Sequence, residues 1–336
     1  MKKMRAVQVA RPGGPFQVVE REVPEPGPGE ARVKVEACGI CHSDAVVKGG
    51  HYPGLTLPRI PGHEVAGRID ALGSGVPGWE PGQRVGVGWY GGHCGHCDHC
   101  RRGDFVNCRN GKITGVTFDG GYAEYLVAPV QALVRIPDAL DAAAAGPLVC
   151  AGITTFNALR NSGARPGDTV AVQGIGGLGH LGIQYASKLG FRTVALSHGA
   201  DKEAMARELG AHDYVDTSKQ SAAEGLQRLG GAHVVLATAP HADAIGSTVA
   251  GLVPRGKLLI VAVASEPIPV SALSLLSGKC VAGWPAGASI DSEATLAFSA
   301  RTGVRARIER FPLDQADAAF ARMMDNKVRF RAVLIP

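Results

Sequence analysis

Hydrophobic positions along this chain fall into two textures. Over residues 1–150 the runs are short and alternate, as in Arg32-Val33-Lys34-Val35-Glu36-Ala37 and Arg84-Val85-Gly86-Val87. Alternation puts every second side chain on one face, the signature of a half-buried strand. Pro-Gly pairs at 12–13, 26–27, 53–54, 61–62, 77–78 and 81–82 punctuate these runs and read as turns. The pattern predicts an antiparallel, β-rich domain.

From residue 151 the pattern changes. Thr169–Gln173 is a short apolar strand and Leu178–Leu189 a helical stretch; Arg192–Leu196 is a second strand and Asp201–Leu209 a second helix. Further strands are predicted at His233–Ala237 and Lys257–Val263. Alternating strand and helix implies right-handed crossovers and a doubly wound parallel sheet, an α/β arrangement. This second domain is expected over 151–287. The mixed segment 288–336 is expected to return to the first domain.

Composition narrows the class. With 336 residues, 45% hydrophobic and 19% charged, the chain can build two sizeable cores and does not read as disordered. No run approaches the ~18 apolar residues of a membrane span, and the basic start, Met1-Lys2-Lys3-Met4-Arg5, leads into an alternating strand rather than a signal peptide. A soluble, cytoplasmic protein with no membrane partner is the expectation. The net charge of +5 is spread out, with no basic cluster interleaved with aromatics, which argues against nucleic acid. Glycine, at 46 residues, is about twice its usual ~7% share and points to tight turns and close backbone contacts.

The strand ending at Gln173 runs directly into Gly174-Ile175-Gly176-Gly177-Leu178-Gly179, which opens a helix. That context makes the Gly-x-Gly-x-x-Gly spacing a dinucleotide signal. Gly174 suits the tight turn, Gly176 lets the backbone approach a pyrophosphate, and Gly179 permits close helix–strand packing. Gly174, Gly176, Gly177, Leu178 and Gly179 are therefore candidate phosphate contacts at a helix N-terminus. The end of the next strand carries Ser197 and His198, where an NAD site usually has a carboxylate for the ribose 2′-hydroxyl. Lys202, with His198, offers positive charge to a 2′-phosphate. This favours NADP(H). Asp201 leaves NAD(H) open, and Lys202 also reads as an ordinary solvated helix residue.

Cys94, Cys97, Cys100 and Cys108 are four of the eight cysteines, crowded into fifteen residues. Four thiolates at this spacing can close a tetrahedron around Zn²⁺ with no open position, a structural site. The usual ferredoxin run has three residues before a fourth Cys followed by Pro; here seven intervene and Arg109 follows. His93, His96 and His99 each precede a cysteine but are not needed once four thiolates bind. A second, scattered set lies in Cys41-His42-Ser43-Asp44 and His63-Glu64. A catalytic zinc takes three protein ligands and keeps one position open. The residues alone leave the third ligand open among Cys38, Cys150 and Glu64.

Taken together, Cys-Gly-Ile-Cys-His-Ser-Asp (38–44), Pro-Gly-His-Glu (61–64), the cysteine lobe (94–108), Asp-Gly-Gly-Tyr-Ala-Glu-Tyr (119–125), Cys-Ala-Gly-Ile-Thr-Thr (150–155) and Gly-Ile-Gly-Gly-Leu-Gly-His (174–180) resemble the zinc-containing medium-chain alcohol dehydrogenases, in the bacterial and yeast-like branch. The resemblance spans essentially the whole chain. It implies a GroES-like β-rich catalytic domain plus a Rossmann domain, two Zn²⁺ per chain, and hydride transfer between a small alcohol and a nicotinamide cofactor. Position by position, it implies that Cys41, His63 and Cys150 bind the catalytic zinc, with Asp44 and Glu64 behind them. Ser43 matches the hydroxyl that starts the proton relay, Thr154 a nicotinamide contact, and Arg331 a pyrophosphate-binding arginine. A homodimer or homotetramer is implied.

The chain also departs from the family. The relay His expected eight residues after Cys41 is Gly49; His51 stands two residues later and is the candidate substitute, beside a water or a cofactor hydroxyl. Tyr52 replaces one pocket Trp, whereas Trp89 matches the second, so both are candidate substrate contacts. Trp284 falls in a region where the family has Gly-Ser-x-x-Gly. These differences bear on which alcohol or aldehyde is used.

Overall fold

The computed structural model describes residues 2–336. The chain forms two compact units: Met1–Cys150 with Gly287–Pro336, and Ala151–Ala286.

The first unit is built on a seven-stranded sheet whose main path runs Ile308–Pro312, Arg331–Ile335, Glu30–Gly39, Val65–Leu72, Arg84–Val87, Leu133–Arg135. Tyr125–Pro129 also pairs with the first half of Glu30–Gly39. The pairs are antiparallel except for Ile308–Pro312 against Arg331–Ile335. Glu30–Gly39 shows why the sequence folds this way. Ala31, Val33 and Val35 are buried in alternation, and then Ala37, Cys38 and Gly39 are buried in succession. The strand thus passes from one covered face to two. Its Ala31, Val33, Val35 and Cys38 join a core with Val65, Ile69, Val85, Val87, Leu126 and Leu334. Each such Val or Leu contributes ~1.5–3 kcal/mol of burial.

The second unit holds a six-stranded parallel sheet in the order Asp213–Asp216, Arg192–Ser197, Thr169–Gln173, Ala232–Ala237, Leu252–Ile260, Cys280–Gly283. In chain order this is 3-2-1-4-5-6, the doubly wound Rossmann arrangement. Thr169–Gln173 is buried at every position, as a central parallel strand must be. The helix Gly179–Lys188 follows it directly.

Several elements differ from the sequence pattern. The edge strands Asp213–Asp216 and Cys280–Gly283 were not predicted. They are short and mostly half-exposed, so neither carries a continuous apolar run. The fifth strand runs Leu252–Ile260 rather than Lys257–Val263; Val263 is 89% exposed and beyond the sheet. The second helix is shorter than the pattern suggests, Glu203–Glu208, which leaves Asp201 and Lys202 in the preceding turn. Among the described residues no single helix is long and apolar enough to cross a membrane.

Candidate active site

Four segments of the first unit converge on one point. The strand Glu30–Gly39 carries the chain into Cys41, and its exit is pinned where the Ile40 N–H donates to the Ala332 carbonyl at 2.8 Å. His63 and Glu64 directly precede the strand Val65–Leu72, and the Gly39 N–H donates to the Glu64 carbonyl at 3.0 Å. Cys150 closes the 3₁₀ turn Gly146–Val149. A β-carbon at Gly146 would stand 2.7 Å from the Glu64 carbonyl oxygen, so only glycine lets this turn come so near. The fourth segment is the strand Arg331–Ile335.

The result is a cluster of Cys41, His63, Glu64 and Cys150 whose ligand atoms all lie within 4.8 Å of one another. The Cys41 and Cys150 sulfurs are 3.8 Å apart. Two thiolates at ~2.3 Å from a tetrahedral zinc are separated by about 3.8 Å. His63 Nε2 and Glu64 Oε2 are buried without a hydrogen-bond partner, and such orphaned groups cost about 1–3 kcal/mol each unless something satisfies them. The donor set and its spacing fit zinc. Cys38, one of the three open candidates, lies outside the cluster; its thiol is directed to the Gly39 carbonyl at 3.6 Å.

The electrostatics follow from burial and the company each group keeps. Hydrogen bonding from Cys150 lowers the Cys41 thiol well below the usual range against the opposing effect of burial, and the positive charges of His63 and Arg331 add to this. The same bond, with burial, holds Cys150 up. Burial alone would lower His63, but the charges of Asp44 and Cys41 outweigh it and raise its pKa well above the usual value. Burial raises Glu64, and Arg331 opposes that rise. The Arg331 guanidinium donates to Glu64 Oε1 and, at 3.0 Å, to the Ile40 carbonyl. The resemblance placed Arg331 at the pyrophosphate; in the structure its guanidinium is engaged beside the cluster.

Asp44 stands behind His63. Its Oδ1 is 3.4 Å from His63 Nδ1, and its Oδ2 accepts from the Cys41 N–H at 2.9 Å and from the Tyr122 hydroxyl at 2.8 Å. Tyr122 is fully buried and is the residue that sequence reasoning missed. It reaches Asp44 because residues 120–122 run along 60–62: the Gly120, Gly121 and Tyr122 N–H groups donate to Ile60, Gly62 and Pro61 carbonyls. Gly62, at φ +100°, has no room for a side chain, since a β-carbon would meet the Tyr122 ring at 2.4 Å. The only signal in the sequence was the motif at 119–125, which carried the resemblance but no chemistry of its own.

The remaining candidates of this unit separate. Trp89 packs edge-on against His63 at 4.8 Å and so borders the cluster, while Tyr52 packs on Trp89 at 6.5 Å. Ser43 occupies the N-cap of the helix Asp44–Gly49, but its side chain does not cap it. His51 is exposed, with its ring beside Gly49.

The cysteine lobe forms a second cluster, Cys94, Cys97, Cys100 and Cys108. Sulfur separations of 3.5, 3.6, 3.9 and 4.0 Å bracket the same ~3.8 Å tetrahedral edge. Two of the nearby histidines are occupied elsewhere: His99 pairs with Asp104 at 3.0 Å, and His93 stacks on Phe105.

In the second unit the glycine loop has the shape a phosphate needs. A β-carbon at Gly179 would stand 1.9 Å from the Gly174 carbonyl oxygen, and one at Gly174, φ +90°, would stand 2.7 Å from the Ala239 β-carbon. Gly176 is exposed, with nothing within 4 Å of where a β-carbon would lie. The N–H groups of Gly177 and Leu178 find no acceptor among the described residues. Ser197 is nearly buried and pairs in register with Asp216. His198 is exposed, and Lys202 has no ion-pair partner among the described residues. Asp216 Oδ1 accepts the Gly199 N–H at 2.9 Å, which fixes the loop. Thr154 is half-buried on the helix Ala151–Arg160.

Comparison with known proteins places this geometry. Residues 27–138 match the alcohol dehydrogenase GroES-like domain, and residues 177–301 match the zinc-binding dehydrogenase family. The chain is 46% identical over 305 residues to alcohol dehydrogenase patD of Penicillium expansum, covering 91% of this chain and 89% of that protein. It is 38% identical over 334 residues to an alcohol dehydrogenase of Geobacillus stearothermophilus, covering 98% and 99%. The cinnamyl alcohol dehydrogenase structure from Sorghum bicolor superposes with a TM-score of 0.90 at 30% identity, covering 99% and 98%. The chain belongs to the zinc-containing medium-chain alcohol dehydrogenase family.

Proposed function

We propose that this NAD(P)-dependent alcohol dehydrogenase and carbonyl reductase holds its catalytic zinc on Cys41, His63 and Cys150, with Glu64 beside the ion. The supporting observation is the convergence of two sulfurs 3.8 Å apart with a buried, unpartnered His63 Nε2. Zinc bound there supplies a Lewis acid that acidifies an alcohol or polarises a carbonyl. A nicotinamide held beside Thr154 would supply the hydride donor or acceptor.

The chain's own residues do the rest. Two thiolates and a neutral imidazole balance the charge of a divalent ion, and Glu64 with Arg331 forms a neutral pair beside it. Asp44 Oδ1, 3.4 Å from His63 Nδ1, favours the proton on Nδ1, which leaves Nε2 as the ligand atom. Ser43, whose side chain is not spent on capping, takes up the alcohol proton at its Oγ, and His51 on the exposed side of the same segment passes it to solvent. Tyr52 and Trp89 border the substrate. Cys94, Cys97, Cys100 and Cys108 would hold a second zinc that clamps the lobe.

For the cofactor, Gly174, Gly176, Gly177, Leu178 and Gly179 approach the pyrophosphate, with Thr154 at the nicotinamide. Ser197, His198 and Lys202 favour NADP(H), because Lys202 has no ion-pair partner among the described residues and no carboxylate occupies the end of the second strand. A specific observation keeps NAD(H) as the second reading: a β-carbon on Gly199 would lie 3.2 Å from Asp201 Oδ1, so this carboxylate borders the loop. Assembly into a homodimer or homotetramer belongs to the same proposal and is read by light scattering.

Initial rates at 340 nm with NADH and with NADPH, across aliphatic, branched and aromatic aldehydes, before and after chelation, test the whole. Zinc-dependent turnover with NADPH preferred is the expected result. Activity that survives removal of the zinc from the Cys41 cluster overturns the ligand assignment.

A further inference from the structure

One fully buried, hydrogen-bonding side chain beside the glycine loop has no part in the chemistry above. His180 is 0% exposed, on the first turn of the helix Gly179–Lys188. Its Nδ1 lies 3.0 Å from the Gly176 carbonyl oxygen. The backbone N–H of His180 donates to that same carbonyl at 3.1 Å. A carbonyl only accepts, so Nδ1 carries the proton.

We propose that His180 is a positioning residue for the dinucleotide: its Nδ1–H holds the Gly176 carbonyl against the helix and so aims the Gly177 N–H outward at the pyrophosphate. The inference rests on the cofactor site proposed above. The Gly176–Gly177 peptide is planar and trans, so its C=O and N–H point in opposite directions. Fixing the carbonyl on the helix side fixes the N–H on the other. That N–H has no acceptor among the described residues, and Gly176 faces open space.

The need for a latch follows from the same glycines. Glycine has the widest backbone freedom of any residue, and no side chain at Gly176 or Gly177 restricts rotation of the peptide between them. The helix-type bond from the His180 backbone is one tether; the imidazole adds a second from a ring that burial holds still. Packing alone does not account for a histidine here. An aliphatic side chain would fill buried space without the cost of desolvating ring nitrogens.

The test compares the zinc-loaded wild type with His180→Leu, His180→Asn and His180→Gln. Dissociation constants for NADH and NADPH are read from nicotinamide fluorescence without substrate, together with zinc content. Asn places an amide nitrogen near the position of Nδ1, whereas Gln carries it one methylene further. The expected result is about tenfold weaker binding of both cofactors by the Leu variant, the scale of one ordering hydrogen bond. The Asn variant stays close to wild type, the NADH-to-NADPH ratio is unchanged, and zinc content is unchanged. A Leu variant that binds as tightly as wild type overturns the inference. Should the Leu variant fail to fold, equal affinities of the Asn and Gln variants overturn it. A wild type that binds neither dinucleotide sinks the cofactor reading itself, a separate outcome seen before any variant is compared.

Discussion

The Tyr122 hydroxyl donates to Asp44 Oδ2 at 2.8 Å, while Asp44 Oδ1 stands 3.4 Å from His63 Nδ1. A phenol thus fixes the rotation of the carboxylate that orients the imidazole. Tyr122→Phe keeps the ring that packs on Gly62 and removes only this bond. The variant is expected to lose about 1 kcal/mol of stability. Direct partners of a ligating His are worth 10–100-fold in metal affinity, so a group one bond further out should speed zinc release to a chelator by less than about tenfold. Urea unfolding and chelator kinetics measure the two effects separately. Lower stability with an unaltered release rate would confine Tyr122 to packing.

Arg331 and Glu64 are a buried pair, with side chains 7% and 0% exposed. Removing one member leaves the other charge uncompensated. Arg331→Met should cost about 3–5 kcal/mol, and adding Glu64→Gln should restore part of it, because a neutral amide needs no countercharge. A denaturation double-mutant cycle reads the coupling; strictly additive losses would contradict it.

The acidity of the cysteine lobe is also testable. The backbone N–H groups of His96 and then Cys97 pull the Cys94 thiol down to about 5. Burial, followed by the neighbouring sulfurs, pushes Cys100 up to about 12. A depressed thiol is anionic above its folded pKa, so without metal the Cys94 contribution is complete above the ordinary thiol range and vanishes as pH falls through 5. Cys100 must give up a proton to bind zinc, so zinc uptake releases protons and retention weakens in acid. Zinc per chain after dialysis against a chelator should fall between pH 8 and pH 5, with Cys108→Ser marking the share owed to the lobe. Retention that does not vary over this range would count against four thiolate ligands.

Lys202 carries the cofactor preference in this reading. Lys202→Ala should raise the KM for NADPH by about tenfold, the loss of one charge-assisted phosphate contact, and leave that for NADH nearly unchanged. Steady-state kinetics with the two cofactors decide it. Equal effects on both would leave Lys202 a solvated residue of the turn before the helix and favour Asp201 as the ribose contact.

What the sequence revealed divides along local and distant relationships. The glycine loop and the four-cysteine lobe were legible because each is written within a few residues, where spacing maps directly onto one turn. The central strands of the Rossmann sheet were legible for the same reason, as continuous apolar runs. The Cys41 cluster was not legible from spacing. Cys41 and Cys150 are 109 residues apart, and only the family resemblance singled out Cys150 among three candidates. Arg331 against Glu64, at a separation of 267 residues, was hidden altogether, as was Tyr122, whose role exists only because two loops run side by side. The edge strand Cys280–Gly283 escaped because no face of it is fully covered.

The way the strand Arg331–Ile335 enters its sheet has a consequence for biosynthesis. It supplies the Ala332 carbonyl that pins Ile40 and the guanidinium that neutralises Glu64. A nascent chain that has emerged only as far as residue 330 therefore carries all of Cys41, His63, Glu64 and Cys150 and still lacks the frame that holds them together. The Ala151–Ala286 unit, by contrast, is contiguous in sequence. The Cys41 cluster must wait for residues made almost three hundred codons after its first cysteine before the frame that holds it is complete.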